Sequence, residues 1–509
     1  MDSEVDDGAE IERTWWRDAV VYQIYPRSFN DSDGDGVGDI SGVIEKVDYL
    51  DELDIDVVWF CPVYDSPNAD NGYDIRDYRS IMDEMGTIED WERLLDELHS
   101  RDIRLVMDLV VNHTSDEHEW FQKSRREEDG YEDYYHWVEG EPDEPPNNWE
   151  SFFGGPAWSY DEKREAWYLH LFDEKQPDLN WRNPDVRADV YDMVDWWLQK
   201  GIDGFRMDVI NLLSKPEEYP NGEADTSPVG SEHFVDGPRI HEYLRELYEE
   251  TFADYDVMTV GEMADLDVET ANDYLGEDGD GLDMAFHFDH MFLDFGPDGR
   301  WDIGEWSVSD IKEVFTEWQT RLDETSWDGL YWENHDQPRV VSRFGDDEQY
   351  RYESATMLGT FLFGLRGTPY VYQGQEIGMT NADFESLEEV RDVGTLRPVD
   401  LMLEEGEIDS YEDVREIVNY RSRDHARTPM QWSDESNAGF TDGEPWIKVN
   451  DNYERINVEA ARSVERSVWQ YYRDLIDLRH EEPTLVYGEY ELLDVADPLY
   501  TFTRTLEDD

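Results

Sequence analysis

The chain has 509 residues, with 42 Lys and Arg against 127 Asp and Glu and a net charge of −85 at pH 7. A field of that sign repels phosphate backbones and anionic lipid, which excludes nucleic acid and membrane surfaces as partners. Aromatic residues make up 14% of the chain, including 20 Trp and 30 Tyr, and disordered chains lack such residues, so a folded protein with a very acidic surface is expected.

The basic side is lopsided, with 8 Lys and 34 Arg. A carboxylate surface almost without Lys suits molar salt, where the Debye length falls to roughly 3 Å and self-repulsion is screened. In dilute buffer the same charges push the fold apart. The setting this predicts is a salt-accumulating cytoplasm. The same charge opposes close self-association at low salt, so a monomer is expected. A single cysteine, Cys61, excludes an internal disulfide. The start, MDSEVDDGAEIERTWW, is acidic without an apolar run, and no stretch approaches the 18 or so apolar residues of a membrane span.

In chain order, short apolar strands are predicted at 19–25, 57–62, 104–112, 204–208, 257–262, 284–288, 330–335 and 369–373. Helical patterns separate them, among them 43–53, 87–101 and 186–200. Near-continuous apolar strands alternating with helices mean a parallel sheet covered on both faces. Eight such units predict an α/β fold, a (β/α)8 TIM barrel. About 90 residues separate strands three and four, in a stretch rich in Trp, Tyr, Pro and Gly. That is too long for a loop and reads as a small inserted domain at 114–179. A second excursion, about 380–460, follows strand eight. After a helix at 464–480 the chain turns strand-like at 487–493 and 499–505, which reads as the beginning of a truncated C-terminal β domain. The domains expected are barrel at 1–113, insert at 114–179, barrel again at 180–482, and the C-terminal piece at 483–509.

The run NDSDGDGVGD at 30–39 follows strand one. Asp31, Asp33, Asp35 and Asp39 alternate with Gly in a tight loop. Hard oxygen ligands at this spacing suit Ca2+ or Mg2+, in a structural role. The run is similar to the front half of an EF-hand loop, without a Glu at its twelfth position.

Polar residues at the C-terminal ends of barrel strands read as the active site. Strand three ends DLVVNH (108–113), strand four GFRMD (204–208), strand five TVGE (259–262) and strand seven ENHD (333–336). Asp208, Glu262 and Asp336 therefore converge with His113, His335 and Arg206. Paired carboxylates without a nucleophilic Ser or Cys suit glycoside hydrolysis, one attacking the anomeric carbon and the other protonating the leaving oxygen. Arg206 points to the same side of its strand as Asp208, and its charge is expected to hold Asp208 ionised. Glu262 follows an apolar strand, where an acid could keep a raised pKa.

The motifs DLVVNH, QPDLNW, GFRMDVIN, TVGEM and ENHDQPRVVSRFG resemble those of the alpha-amylase superfamily, glycoside hydrolase family thirteen. VYQIYPRSFNDSDGDGVGDISGV and SRDHARTPMQW are similar to its oligo-1,6-glucosidase and alpha-glucosidase branch, and the match runs from about Trp15 to the C-terminus. The resemblance implies Asp208 as nucleophile, Glu262 as general acid/base, and Asp336 as the carboxylate that grips substrate hydroxyls. It implies that His113, Arg206 and His335 line the subsite for the non-reducing glucose. Asp70 and Arg427 would pair and close the pocket, with Tyr73 as stacking platform and Phe172 and Gln176 nearby. Asp31, Asp33, Asp35, Asp39 and the Val37 carbonyl would bind the ion. The activity implied is an exo-acting, retaining alpha-glucosidase on short oligosaccharides.

In this branch Val after the nucleophile goes with 1,6 preference, and here Val209 stands there. Sucrose isomerases and transglycosylases share the scaffold and the catalytic residues, and form the alternative. RVVSRFGDD at 339–347 looks hydrolase-like rather than isomerase-like. A non-catalytic relative would lose the catalytic acids, all of which are present, and an endo-acting amylase would lack the pocket-closing pair. Glu333 and the stretch MADLDVET after Glu262 depart from the family pattern, and both bear on acceptor-side specificity.

Overall fold

The computed structural model describes residues 13–276, 281–297 and 299–506. The acidic start and the outermost ends of the first and last expected domains lie outside the described residues. Eight parallel strands form the barrel: β1 Val21–Ile24, β2 Val57–Phe60, β3 Arg104–Leu109, β4 Gly204–Met207, β5 Met258–Glu262, β6 Met284–Phe286, β7 Gly329–Leu330 and β8 Thr368–Tyr372. Their order is β6-β5-β4-β3-β2-β1-β8-β7, and a parallel bridge between Ala285 and Asp328 joins the two ends. Most of these strand residues are buried, because helices cover the outside of the barrel and side chains fill its inside. At Gly204 (φ +150) a Cβ would lie 1.9 Å from the Met258 carbonyl oxygen, so close pairing of β4 with β5 requires glycine there.

Local signals set the helix ends. Thr87 and Asp90 form a capping box on Ile88–His99. Asn183 caps Pro184–Lys200, and Gly201 ends that helix at φ +98. Two expectations are revised. The helix expected at 43–53 is two, Ile40–Glu45 and Val47–Leu53, broken at Lys46. The strand expected at 330–335 pairs only at Gly329–Leu330. Beyond it Trp332 donates to the Leu358 carbonyl and Tyr331 to the His287 carbonyl, so side chains rather than a ladder fix 331–335.

Between β3 and β4 lies a three-stranded antiparallel sheet of Trp137–Glu139, Ala166–Leu169 and Trp158–Asp161, with Ala166–Leu169 in the middle. Bridges His113–Asp178 and Tyr135–Leu179 tie its base to the end of β3. After β8, Ala382, Phe384, Val390, Val399, Val414 and Val418 form a separate small core under the helix Val393–Glu405. The chain ends in a hairpin of Glu489–Leu492 and Phe502–Thr505. Among the described residues no helix is long and apolar enough to cross a membrane.

Candidate active site

The C-terminal ends of β3, β4 and β5 bring three carboxylates onto one guanidinium. Arg206 Nη1 donates to Asp108 Oδ1 at 2.6 Å and to Asp208 Oδ1 at 2.7 Å, while Nη2 meets Glu262 Oε2 at 2.6 Å. All four side chains are buried. Burial pushes the Asp208 carboxyl well above its ordinary range; Arg206 pulls it down, and Glu262 and Asp108 push it up again. Burial and the two neighbouring carboxyls thus oppose the ionising pull of Arg206. Burial likewise raises the Asp108 carboxyl against the pull of the same guanidinium.

Val209, directly after Asp208, has φ +37 and ψ 44, a left-handed conformation that is costly for a β-branched residue. That turn aims the Val209 N–H at Glu262 Oε2, at 3.3 Å. The Val209 side chain packs beside the aromatic cluster of Trp149, Trp158 and Phe234 at the base of the insert.

Asp336 forms a second centre. Its Oδ1 accepts from Arg427 Nη2 at 2.6 Å and from Arg423 Nη1 at 3.1 Å, and its Oδ2 lies 3.3 Å from His335 Nε2. Burial alone would raise its pKa, but His335, Arg423 and Arg427 together hold the carboxyl far below the usual carboxylate range. Burial lowers the His335 pKa to about 3, and its Nδ1 lies 2.8 Å from Gln23 Nε2. Tyr73 stacks on His335 with centroids 5.1 Å apart and planes 4° from parallel, and its hydroxyl donates to Asp108 Oδ2 at 3.0 Å.

Gln176 links the insert to this centre. Its Nε2 donates to Asp70 Oδ2 at 3.2 Å and lies 3.1 Å from His113 Nε2. Burial lowers the His113 pKa to about 4. Phe172 lies 5.2 Å from the His113 ring and stacks on Phe152 at 5.2 Å. Asp70 pairs with Arg423 (Nη2 to Oδ1, 3.1 Å) and not with Arg427. The expected Asp70–Arg427 pair is corrected by one helical turn: Arg423 caps the short helix Asp424–Arg427 and Arg427 ends it, and the first reaches Asp70 while both reach Asp336.

Three residues of the site carried no role in the sequence reading. Asp108 opens the DLVVNH motif but sits inside an apolar strand. Arg423 lies in SRDHAR, four residues before Arg427 on the same face. Asp392, the N-cap of Val393–Glu405, accepts from Arg423 Nε at 2.7 Å. Glu333 offers nothing to an acceptor sugar, since it is buried with one oxygen on Arg339 Nη1 (3.0 Å) and the other on Val340 N (2.5 Å).

The acidic loop is ordered around Asp31, whose carboxylate accepts from the amides of Asp33, Gly34 and Gly36 and from the Thr441 hydroxyl. Ligand oxygens of Asp31, Asp33 and Asp39 lie within 4.8 Å of one another, a hard-oxygen donor set that fits Ca2+ or Mg2+. Asp35 stands outside this group and accepts from the Val37 amide at 2.8 Å. Gly36 (φ +96) runs against the Glu444 carbonyl, 1.8 Å from where a Cβ would be, so the loop packs on 441–446 only with glycine there.

Residues 23–488 match the family model described as alpha amylase, catalytic domain. The chain is 56% identical over 501 residues to an oligo-1,6-glucosidase of Parageobacillus thermoglucosidasius, covering 97% of this chain and 89% of that protein. It is 46% identical to the solved structure of Bacillus licheniformis trehalose-6-phosphate hydrolase, with a TM-score of 0.91 over 97% of this chain and 89% of that one. It is 44% identical to isomaltulose synthase from Erwinia rhapontici NX5, with a TM-score of 0.95 over 98% and 89%.

Proposed function

The chain belongs to the alpha-amylase family as a glycoside hydrolase of the alpha-glucosidase type, and from that premise we propose that it releases glucose from the non-reducing ends of short alpha-glucosides with retention of configuration. The observation that carries this reading is the bridge of Arg206 between Asp208 and Glu262. Two carboxyls on one guanidinium favour the narrow spacing of a retaining pair, roughly 5–5.5 Å, over the wider one that leaves room for an attacking water.

In the reactive arrangement Glu262 carries the proton to be given and Asp208 is ionised. Asp208 attacks the anomeric carbon as Glu262 gives its proton to the glycosidic oxygen. The C–O bond breaks, its electron pair stays on the departing oxygen, and a glucosyl ester forms on Asp208. Glu262, now ionised, takes a proton from water, which attacks the same carbon and frees Asp208. Asp336, held ionised by Arg423 and Arg427, accepts hydrogen bonds from ring hydroxyls. His113, Arg206 and His335 line the glucose subsite, and Tyr73 is its platform. Asp70, Gln176, Phe172 and Arg427 shape its wall, and the Asp70–Arg423 pair supports an exo-acting pocket.

Val209 and the resemblance to an oligo-1,6-glucosidase favour isomaltose-type bonds. Isomaltulose synthases on the same scaffold keep sugar transfer as the second reading. The residues 114–179 form an inserted domain over the site in this reading. Asp31, Asp33 and Asp39 would hold a structural Ca2+ or Mg2+. The net charge of −85 supports a monomer working in a salt-accumulating cytoplasm. The test of the mechanism is NMR of the anomer released first from isomaltose at molar KCl. Alpha-glucose is expected, and beta-glucose would overturn the retaining assignment.

A further inference from the structure

Asp336 is gripped by two arginines at the ends of one turn, Arg423 as the cap of the helix Asp424–Arg427 and Arg427 as its last residue. A four-residue helix has no stability of its own, so something else must hold that turn. Its last carbonyls show what does. The Ala426 oxygen accepts from Arg339 Nη2 at 3.2 Å and from the Tyr372 hydroxyl at 2.9 Å, and the Arg427 oxygen accepts from the Ser28 hydroxyl at 2.6 Å. Arg427 Nε in turn donates to the His335 carbonyl at 3.0 Å.

Arg339 is fully buried, and its other anchors are the Gln373 carbonyl at 2.7 Å and Glu333 Oε1 at 3.0 Å. Glu333 is the one carboxylate paired with it among the described residues. A buried guanidinium stripped of its carboxylate is strongly disfavoured. The second oxygen of Glu333 accepts from Val340 N, at the start of the helix Val340–Phe344. Glu333 thus fastens both ends of the segment 333–340, in whose middle Asp336 stands. It also compensates the charge of the arginine that reaches across to the turn bearing Arg423 and Arg427.

We infer that Glu333 is a positioning residue for the Asp336 grip, acting through Arg339 and the Ala426 carbonyl rather than by touching substrate. The inference rests on the assignment of Asp336 to the glucose subsite. Without the Glu333 charge, Arg339 loses its anchor, the 424–427 turn loosens, and Arg423 and Arg427 no longer meet Asp336 together. A residue that only stabilised the fold would lower the melting temperature and leave the folded enzyme's kinetics alone.

The experiment compares Glu333→Gln, Glu333→Asp and Asp336→Asn in the full chain at molar KCl. It measures kcat, KM for isomaltose, the inhibition constant of glucose, the acid limb of the pH profile and the melting temperature. The account predicts for Glu333→Gln a rise of about tenfold in KM and in the glucose inhibition constant, expressed per folded enzyme. The acid limb moves to higher pH, because Asp336 is held ionised less firmly, and Glu333→Asp restores part of each. If Glu333→Gln does not fold, Tyr372→Phe removes the other donor to Ala426 and must raise KM in the same direction. A folded Glu333→Gln, or in its place Tyr372→Phe, with wild-type KM, glucose inhibition and pH profile overturns the inference. If Asp336→Asn itself keeps full activity, the assignment of the subsite fails instead.

Discussion

Replacing Arg206 by Gln tests how the cluster works. In the wild type one guanidinium makes contacts of 2.6, 2.7 and 2.6 Å to Asp108, Asp208 and Glu262. Removing one partner of a buried ion pair costs about 3–5 kcal/mol. Asp108 and Asp208, both raised by burial, escape part of that cost by taking up protons. Asp208 is already pushed above its ordinary range with Arg206 present, and losing the guanidinium that pulls it down raises it further. A protonated Asp208 cannot attack the anomeric carbon. If the lost interaction appears in the transition state, 3–5 kcal/mol corresponds to a fall in kcat/KM of about two to four orders of magnitude. The acid limb of the pH profile must move to higher pH as well. The assay is kcat/KM for isomaltose across pH, with circular dichroism confirming the fold. A folded Arg206→Gln variant within tenfold of wild type, with its acid limb unmoved, would refute the reasoning.

Asp328 gives a stability prediction. Its carboxyl is buried with neither oxygen hydrogen-bonded to the described residues, and burial raises its pKa to about 8. Between about pH 4, where an unfolded Asp titrates, and pH 8, the folded chain binds one more proton than the unfolded, so stability falls as pH rises through that window. Each pH unit costs about 1.4 kcal/mol, and water reaching the group reduces this. Asp328→Asn should therefore gain denaturant resistance over wild type at pH 8 relative to pH 5; an equal difference at both would contradict the burial argument. Val209→Gly relieves the φ +37 strain and should raise the melting temperature while reducing kcat, whereas Val209→Ala should chiefly alter the ratio of isomaltose to maltose turnover. Melting curves with Gly and wild type superimposed would remove the strain argument. A chelator should lower the melting temperature by several degrees, with Ca2+ or Mg2+ restoring it and Asp31→Ala abolishing the response; an unchanged curve would dismiss the ion.

The barrel is legible because parallel strands buried on both faces read as apolar runs, as in Val57–Phe60. Strand seven misleads for the same reason: Tyr331 and Trp332 look strand-like, yet they bury their rings and bond by their side-chain polar atoms. The carboxylates at strand ends are legible because barrel geometry puts them on one rim. The pairing of Asp70 is not, since Arg423 and Arg427 share one face and spacing cannot choose between them. Asp108 hides in an apolar strand, and Thr441 reaches Asp31 from 410 residues away. Neither contact leaves a local signal.

The most direct test of the account is glucose release from isomaltose, maltose and sucrose at molar KCl by the wild type and by Asp208→Asn. The account predicts free glucose, fastest from isomaltose, and none above background from a folded Asp208→Asn variant. Undiminished turnover by that variant, or no turnover of any of the three sugars by folded wild-type protein, would contradict it.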